Sequence, residues 1–97
     1  MDRIYLIDLY DIYSDLLNDK QREYFELYYF DNLSLGEISD NIGISRNAIY
    51  KQIKTVENKI IFFEDKLKLH AKNLKLKDII DKEKDKNIKI ELENLRW

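Results

Sequence analysis

The sequence contains no cysteine and no proline, and only two of its 97 residues are glycine. Without cysteine there can be no disulfide framework and no thiolate metal site, and this composition suits a reducing compartment such as the cytoplasm. Long segments free of proline and glycine favour helices over a β fold with many turns. The apolar fraction of 44% is sufficient for one packed core. We therefore expect a cytoplasmic, all-α protein.

Long apolar runs and catalytic residue patterns are also missing. No run of 18 apolar residues exists, so no transmembrane helix is predicted, and Asp2, Asp8 and Asp11 interrupt the N-terminal apolar residues, which argues against a signal peptide. The single histidine, His70, lies on an apolar seam, and the carboxylates alternate with lysines without metal-ligand spacing. There is no glycine-rich phosphate loop. We expect no enzyme activity, no cofactor and no metal site.

Charge is distributed unevenly along the chain. Residues 1–44 contain ten acidic and three basic residues, a net charge of −7, whereas residues 45–97 contain nine acidic and fourteen basic residues, a net charge of +5; the sum is −2. The small total argues against strong nonspecific DNA binding. The sign nevertheless changes almost where the second helix of the motif described below begins. Solvated helix faces of different composition would explain the asymmetry equally well.

Hydrophobic periodicity predicts two helices in the acidic half. The first covers residues 3–17, and its apolar positions are Leu6, Leu9, Tyr10, Tyr13, Leu16 and Leu17. The second covers about 19–31. Asn18 immediately before it and Gln21 in its first turn have the spacing of a capping box. Six of the seven tyrosines precede residue 30. We interpret them as an aromatic core rather than a surface on which bases stack.

A helix-turn-helix is predicted at about residues 34–54. Ser34 and Glu37 have capping-box spacing and begin a short third helix over about 34–41, Gly43 allows the turn, and Ser45 caps a fourth helix that extends to about Asn73. The apolar residues that would hold the two helices together are Ile38, Ile42, Ile44, Ile49 and Ile53. The expected fold is therefore a four-helix core containing a helix-turn-helix, with a long fourth helix.

The fourth helix has an apolar seam with heptad spacing. The seam consists of Ile49, Ile53, Val56, Ile60, Phe63, Leu67, His70 and Leu74. It fits either the chain's own helices or a partner, including a second copy in a homodimer. Residues 75–97 are highly charged and read as a fifth helix or a partly disordered tail. We therefore predict a helix-turn-helix domain over 1–74 and a separate C-terminal segment over 75–97.

Because Ile49, Ile53 and Val56 should point inward, the opposite side of the fourth helix should be available to a ligand. The residues predicted there are Arg46, Asn47, Tyr50, Lys51 and Lys54. Arginine and lysine contact phosphate or guanine, asparagine pairs with adenine, and a tyrosine hydroxyl donates to phosphate. Amides at the start of the third helix would offer a second phosphate site. The competing interpretation is a helix-turn-helix used for protein contact, with solvated cations.

The segment Tyr24–Lys54, YFELYYFDNLSLGEISDNIGISRNAIYKQIK, resembles the YlxM (UPF0122) family of small bacterial proteins. The resemblance is strongest in the segments LYYFDNLSLGEI and ISRNAIYxxIK, and it extends over about residues 4–70. It implies an all-α fold similar to region 4 of sigma factors, with Ser45–Tyr50 matching the start of the recognition helix. The sequence departs from the family pattern at Asn47, where glutamine is expected, and at Lys51, where an acidic residue is expected.

The resemblance implies a nucleic-acid-binding regulator, with DNA favoured over RNA. The family is encoded beside signal recognition particle genes, so the alternative is an accessory of that pathway that binds the particle's RNA or its GTPase. In that case the acidic residues Asp8, Asp11 and Asp15 could meet a basic protein domain. The chain is too short to combine the promoter-reading and polymerase-binding regions of a complete sigma factor.

Overall fold

The computed structural model describes residues 2–96 and consists of α-helices joined by short turns, with no strand in that part of the chain. The helices are α1 (Arg3–Tyr13), α2 (Asp19–Tyr29), α3 (Leu35–Ile42), α4 (Arg46–Leu67), α5 (Leu69–Lys82) and α6 (Lys86–Glu93). The all-α prediction is confirmed. Six helices replace the predicted five, because the chain is interrupted at Lys68 and at residues 83–85 rather than once near residue 74.

Side-chain caps begin the helices of the N-terminal half as the sequence predicts. Asn18 and Ser34 each form a complete capping box, in which the cap side chain accepts from the backbone three residues later and that residue's side chain accepts in return. Ser45 Oγ accepts from the amide of Ala48 at 3.1 Å. Each such cap contributes about 1 kcal/mol to stability. The starts of α2, α3 and α4 are therefore determined locally.

The predicted first helix is too long. α1 ends at Tyr13 and is followed by a 3₁₀ turn, Ser14–Leu16, which reverses the chain direction before α2. The turn leaves Leu16 53% exposed, although periodicity placed it in the core, whereas Leu17 is buried as predicted. Arg22 stabilises this turn because its Nη1 donates to the carbonyl oxygens of Ser14 and Leu17.

The core lies where α1, α2 and α3 pack around the first two thirds of α4. Its fully buried side chains are Leu9, Tyr13, Phe25, Ile38, Ile49, Val56 and Ile60. Phe25 stacks between the rings of Tyr10 and Tyr29, with centroid distances of 4.2 and 4.4 Å. This arrangement confirms the prediction of an aromatic core. Burying each large apolar side chain contributes roughly 1.5–3 kcal/mol.

Two of the core tyrosines donate hydrogen bonds to carboxylates of α4. Tyr13 Oη donates to Glu64 Oε1 at 2.7 Å, and Tyr29 Oη donates to Glu57 Oε2 at 2.5 Å. Both glutamates are buried, and a buried carboxylate is tolerated only when it is hydrogen-bonded or paired. The tyrosines therefore supply apolar surface to the core and also satisfy the two carboxylates that α4 turns inward.

The heptad register predicted through Leu74 is wrong after Phe63. α4 ends at Leu67, and Lys68 adopts the left-handed conformation with φ of 55°. The carboxylate of Glu64 accepts from the amides of His70 at 3.0 Å and Ala71 at 3.2 Å, so it caps the start of α5. These contacts replace the helical hydrogen bonds that a straight helix would have made. Leu67 and Leu74 are consequently 44% and 58% exposed rather than packed.

α5 and α6 form a C-terminal arm that lengthens the molecule to 55 × 24 × 22 Å. The arm is anchored because α5 packs against α1, whereas α6 packs mainly against α5. The predicted domain boundary after residue 74 falls inside α5, and the division of the chain at that point stays a prediction. Within residues 2–96, no helix is both long enough and apolar enough to cross a membrane.

Candidate nucleic-acid interface

The predicted helix-turn-helix is formed by α3, a turn at Gly43 and the first half of α4. Gly43 has φ of 86°, a left-handed conformation that glycine adopts without the strain a Cβ would cause. Ile38, Ile49 and Ile53 are buried between the two helices, while Ile42 and Ile44 are partly buried. The hydroxyl of Ser39 donates to the carbonyl of Ile44 and holds the turn against α3.

All five predicted contact residues lie on the exposed side of α4. They are Arg46, Asn47, Tyr50, Lys51 and Lys54. Tyr50 is 48% exposed, so about half of the residue is accessible to solvent. Arg46 and Lys51 form no ion pair with any carboxylate in residues 2–96, so both charges are available to an anionic ligand.

The guanidinium of Arg46 lies beside Gly36 of the preceding helix. A Cβ built at Gly36 would lie 2.9 Å from Nη2 and 3.0 Å from Cζ of Arg46, both closer than normal contact. The absence of a side chain at residue 36 therefore allows the guanidinium to lie across the start of α3. Sequence reasoning missed this role of Gly36, because a glycine in the first turn of a helix gives no local sign of its neighbour.

Lys54 differs from Arg46 and Lys51 because its ammonium is already paired. Its Nζ donates to Glu57 Oε1 at 3.1 Å and lies 5.7 Å from the centroid of the Tyr50 ring. The hydrogen bond to Glu57 is the largest of the effects that raise the pKa of Lys54 above its ordinary value. Sequence reasoning missed the pairing, although Glu57 lies three residues after Lys54 and at a core-facing position.

Glu57 and Glu64 point inward, so they add no negative charge to the exposed side of α4. They are the only carboxylates between residues 46 and 64, and both are buried and bonded to tyrosine hydroxyls. The exposed charged residues over this length of α4 are Arg46, Lys51, Lys54 and Lys59. α4 therefore presents cations alone over more than four helical turns, although the protein as a whole is acidic.

The second phosphate site expected at the start of α3 is not supported. Glu37 Oε1 accepts from the amide of Ser34 at 3.1 Å, which places a carboxylate beside the amides that a phosphate would use. The hydrogen bonds with the backbone and the side chain of Ser34 lower the pKa of Glu37, so its carboxylate is charged at neutral pH. A negative charge at this position repels a phosphate.

No group of three or more histidine, cysteine, aspartate or glutamate side chains suited to a metal ion occurs within residues 2–96. His70 is partly buried, with Nε2 3.8 Å from Asp8 Oδ2 and its ring edge-on to Tyr5 at 5.2 Å. It therefore joins α5 to α1.

The geometry defines a helix-turn-helix protein, and comparison with known sequences gives its family. The model of one family, described as "Putative helix-turn-helix protein, YlxM / p13 like", matches residues 1–95, and the chain belongs to this UPF0122 family. A UPF0122 protein of Thermoanaerobacter sp. is 44% identical over 81 residues, covering 84% of this chain and 69% of the relative. One from Caldanaerobacter subterraneus is 44% identical over 84 residues, covering 87% and 72%.

A third relative comes from a different genus and shows the same level of similarity. The UPF0122 protein of Halalkalibacterium halodurans is 44% identical over 77 residues, which covers 79% of this chain and 71% of the relative. The match of the family model across nearly the whole sequence includes the C-terminal arm as well as the helix-turn-helix. The resemblance to the YlxM family that the segment 24–54 indicated is confirmed.

Proposed function

We propose that this protein is a nucleic-acid-binding regulatory protein that binds duplex DNA through the exposed face of α4. The observation that carries the proposal is the outward face free of carboxylates between residues 46 and 64. Apolar residues hold α4 across α3, as in other helix-turn-helix proteins. The second helix of such a pair fits the major groove, where its N-terminal residues contact base edges. In this proposal Arg46 and Lys51 contact phosphate or guanine, and Asn47 pairs with adenine.

Tyr50 and Lys54 complete the proposed contact surface. Tyr50 is positioned one turn after Asn47, and in this proposal its hydroxyl donates to a phosphate oxygen. Lys54 is already paired with Glu57, so it supplies less free charge than Arg46 or Lys51. Only these three cations are assigned to DNA, and each phosphate neutralised contributes about −0.9 to the salt slope. We therefore expect a slope of about −2 to −3 for each bound copy.

The test is to remove the two unpaired cations and compare the result with a control of equal charge. Arg46→Ala with Lys51→Ala should weaken binding to mixed-sequence duplex DNA by at least tenfold at low salt, measured by fluorescence anisotropy. The control is Lys72→Ala with Lys75→Ala, which removes two exposed cations of α5. Equal losses for the two double variants would contradict binding through α4. Thermal unfolding should be unchanged in both, because all four side chains are exposed.

The second candidate function is an accessory role in the signal recognition particle pathway, and the exposed acidic face of α1 favours it. Asp8, Asp11 and Asp15 are all exposed on or directly after this helix, and a row of carboxylates attracts basic protein surfaces. In this proposal the GTPase of the particle, or its RNA, is the partner. Retention by the purified particle but not by duplex DNA would favour this candidate over the first.

A homodimer is a further part of the proposal that the exposed apolar residues support. Ile79, Ile88, Ile90 and Leu95 of the C-terminal arm are all at least 44% exposed. The seam of α4, in contrast, is covered by α1, α2 and α3 up to Ile60. A second copy would therefore be expected on the arm rather than on α4. Sedimentation equilibrium of the full chain distinguishes a dimer from a monomer.

A further inference from the structure

A cavity of about 300 Å³ lies beside the proposed DNA-binding face, between α2, the start of α3 and the middle of α4. Its buried part is formed by Leu6, Ile53, Tyr29 and Glu57, and the exposed Tyr50, Lys54 and Asn58 lie at its mouth. This volume is at the lower end of the range for small-ligand pockets. Polar side chains contribute to its lining together with apolar and aromatic ones.

Glu57 gives this cavity a hydrogen-bond acceptor among apolar side chains. The residue is only 8% exposed, Oε2 accepts from Tyr29 Oη at 2.5 Å, and Oε1 accepts from Lys54 Nζ at 3.1 Å. A carboxylate has about four lone-pair positions, so each oxygen retains capacity for one more donor. Two parallel N–H donors on one edge of a planar ligand match the two oxygens.

The charge of the cavity favours a ligand whose planar group is neutral. Lys54 already compensates Glu57, so an arginine or lysine of a partner would meet no net negative charge and would be repelled by the ammonium. Lys54 has three N–H donors and uses one on Glu57, which leaves two for an anion. The ligand that fits Glu57 and Lys54 best therefore has a neutral planar group with two adjacent N–H donors and, attached to it, an anionic group.

A guanine nucleotide has this combination of groups. Guanine carries N1–H and an N2 amino group on the same edge, whereas adenine has one amino group there beside an acceptor nitrogen. Its flat faces suit contact with tyrosine rings, and Tyr28 and Tyr50 both line the cavity. We propose that this cavity binds a guanine nucleotide, with the base edge on Glu57, the ring beside Tyr28 and Tyr50, and the phosphate on Lys54.

The first experiment titrates the full chain with GMP, AMP and guanosine by isothermal calorimetry. GMP should bind at least tenfold more tightly than AMP, because guanine offers the carboxylate two further donors, whereas adenine offers one beside an acceptor nitrogen that the carboxylate repels. Guanosine should bind several-fold more weakly than GMP, since it lacks the anion. Equal affinities for GMP and AMP, or no binding of any guanine ligand described here, would overturn the proposal.

Two variants connect the affinity to the assigned atoms. Glu57→Gln keeps an acceptor for Tyr29 but replaces one carboxylate oxygen by a donor, so the preference for GMP over AMP should fall below threefold. Lys54→Gln lies at the exposed mouth and should reduce GMP affinity to that of guanosine while the base preference remains. This second variant tests the proposal even if the first is too unstable to measure. Unchanged GMP affinity in both would refute the site.

The guanine could come from a free nucleotide or from an unpaired position of a bound strand. Thymidine 9-mers with and without one central guanine distinguish these sources. Binding of GMP itself supports a free nucleotide, whereas a guanine preference that is seen only in the 9-mer and is lost in Glu57→Gln supports a strand. Displacement of bound GMP or 9-mer by an arginine-rich peptide at equal concentration would overturn the proposal in favour of a protein partner.

The cavity shares Tyr50 and Lys54 with the proposed DNA-binding face, whereas Arg46 and Lys51 belong to that face alone. Arg46→Ala with Lys51→Ala should weaken duplex binding by at least tenfold and leave GMP affinity unchanged, because neither residue lines the cavity. Failure of the protein to bind duplex DNA, together with guanine-dependent binding that requires Glu57, would reject the proposed function alone. Duplex binding without any guanine preference would reject the cavity alone.

Discussion

The two corners that bound α4 are built in different ways, although each contains a residue in the left-handed conformation. At the first, Gly43 has φ of 86° and separates α3 from α4. At the second, Lys68 has φ of 55° and separates α4 from α5. The first corner was predicted from the sequence, and the second was not. The comparison shows which turns can be predicted from the local sequence and which depend on contacts with residues far away in the chain.

The corner at Gly43 depends on local chemistry. Glycine favours positive φ, Ser34 and Ser45 cap the helices on either side, and all three signals lie within twelve residues. The corner at Lys68 depends on Glu64 and on Tyr13, which is more than fifty positions away and accepts from the amide of Leu69 at 3.2 Å. Lysine gives no indication of a turn, so periodicity continues through it.

The largest effect is expected from removal of the carboxylate that holds the second corner. Glu64→Ala would leave Tyr13 Oη and the amides of His70 and Ala71 without their acceptor. The free energy of unfolding should fall by about 3 kcal/mol in urea titrations, since each unsatisfied buried group costs about 1–3 kcal/mol and some would regain water. The control is Asp65→Ala, an exposed neighbour. Equal effects of the two substitutions would show that Glu64 does not hold the corner.

A smaller loss is expected at the first corner. Gly43→Ala should lower the free energy of unfolding by about 1–2 kcal/mol, because an alanine must adopt positive φ there. No atom lies within 4 Å of the added Cβ, so the loss is conformational and not steric. Thermal and urea unfolding measure it. A neutral result would mean that the corner relaxes without its left-handed residue.

The reverse effect is expected at the second corner. Lys68→Gly should raise the free energy of unfolding by about 0.5–1 kcal/mol, because relief of the left-handed strain exceeds the added entropy of the unfolded chain. The changes in the free energy of unfolding for Lys68→Gly and Gly43→Ala should have opposite signs, so the two variants together test the comparison of the corners. Destabilisation by Lys68→Gly would indicate that the lysine side chain itself supports the turn.

The smallest effect is a pH dependence of the second corner. Burial opposes ionisation of Glu64, but the hydrogen bonds from Tyr13, His70 and Ala71 outweigh it and lower its pKa. Its contribution is therefore present above the ordinary glutamate pKa and is lost as pH falls through the lowered value. Burial, followed by the bond to Glu64, raises the pKa of Tyr13 to about 12. That contribution is lost as pH rises from about 10 to 12.

Amide hydrogen exchange of α5 measures this pH dependence directly. Exchange in α5 should accelerate at acidic and at alkaline pH before exchange in the first turns of α4 does, because Glu64 and Tyr13 hold the start of α5. In Glu64→Gln, the same measurement should show no acceleration of α5 exchange at acidic pH. Simultaneous acceleration in α4 and α5 would show that the two corners respond to pH as one unit.

The candidate binding face was predicted in part for the same reason as the first corner. The inward register of Ile49, Ile53 and Val56 places Arg46 and Lys51 on the exposed side, and this register is visible in the sequence. The spacing of Lys54 and Glu57 is local, but the burial of Glu57 against Tyr29 of α2 was not predicted, because that contact joins two helices. Contacts between helices that are distant in sequence give no local pattern.

The salt dependence of duplex DNA binding is the most direct measurement of the proposed function. For the unmodified protein, the logarithm of the binding constant should fall with the logarithm of salt concentration with a slope of about −2 to −3 per copy. Arg46→Ala with Lys51→Ala should bring that slope to within one unit of zero. A slope that both proteins share, or an absence of duplex binding by the unmodified protein at low salt, would contradict DNA recognition by α4.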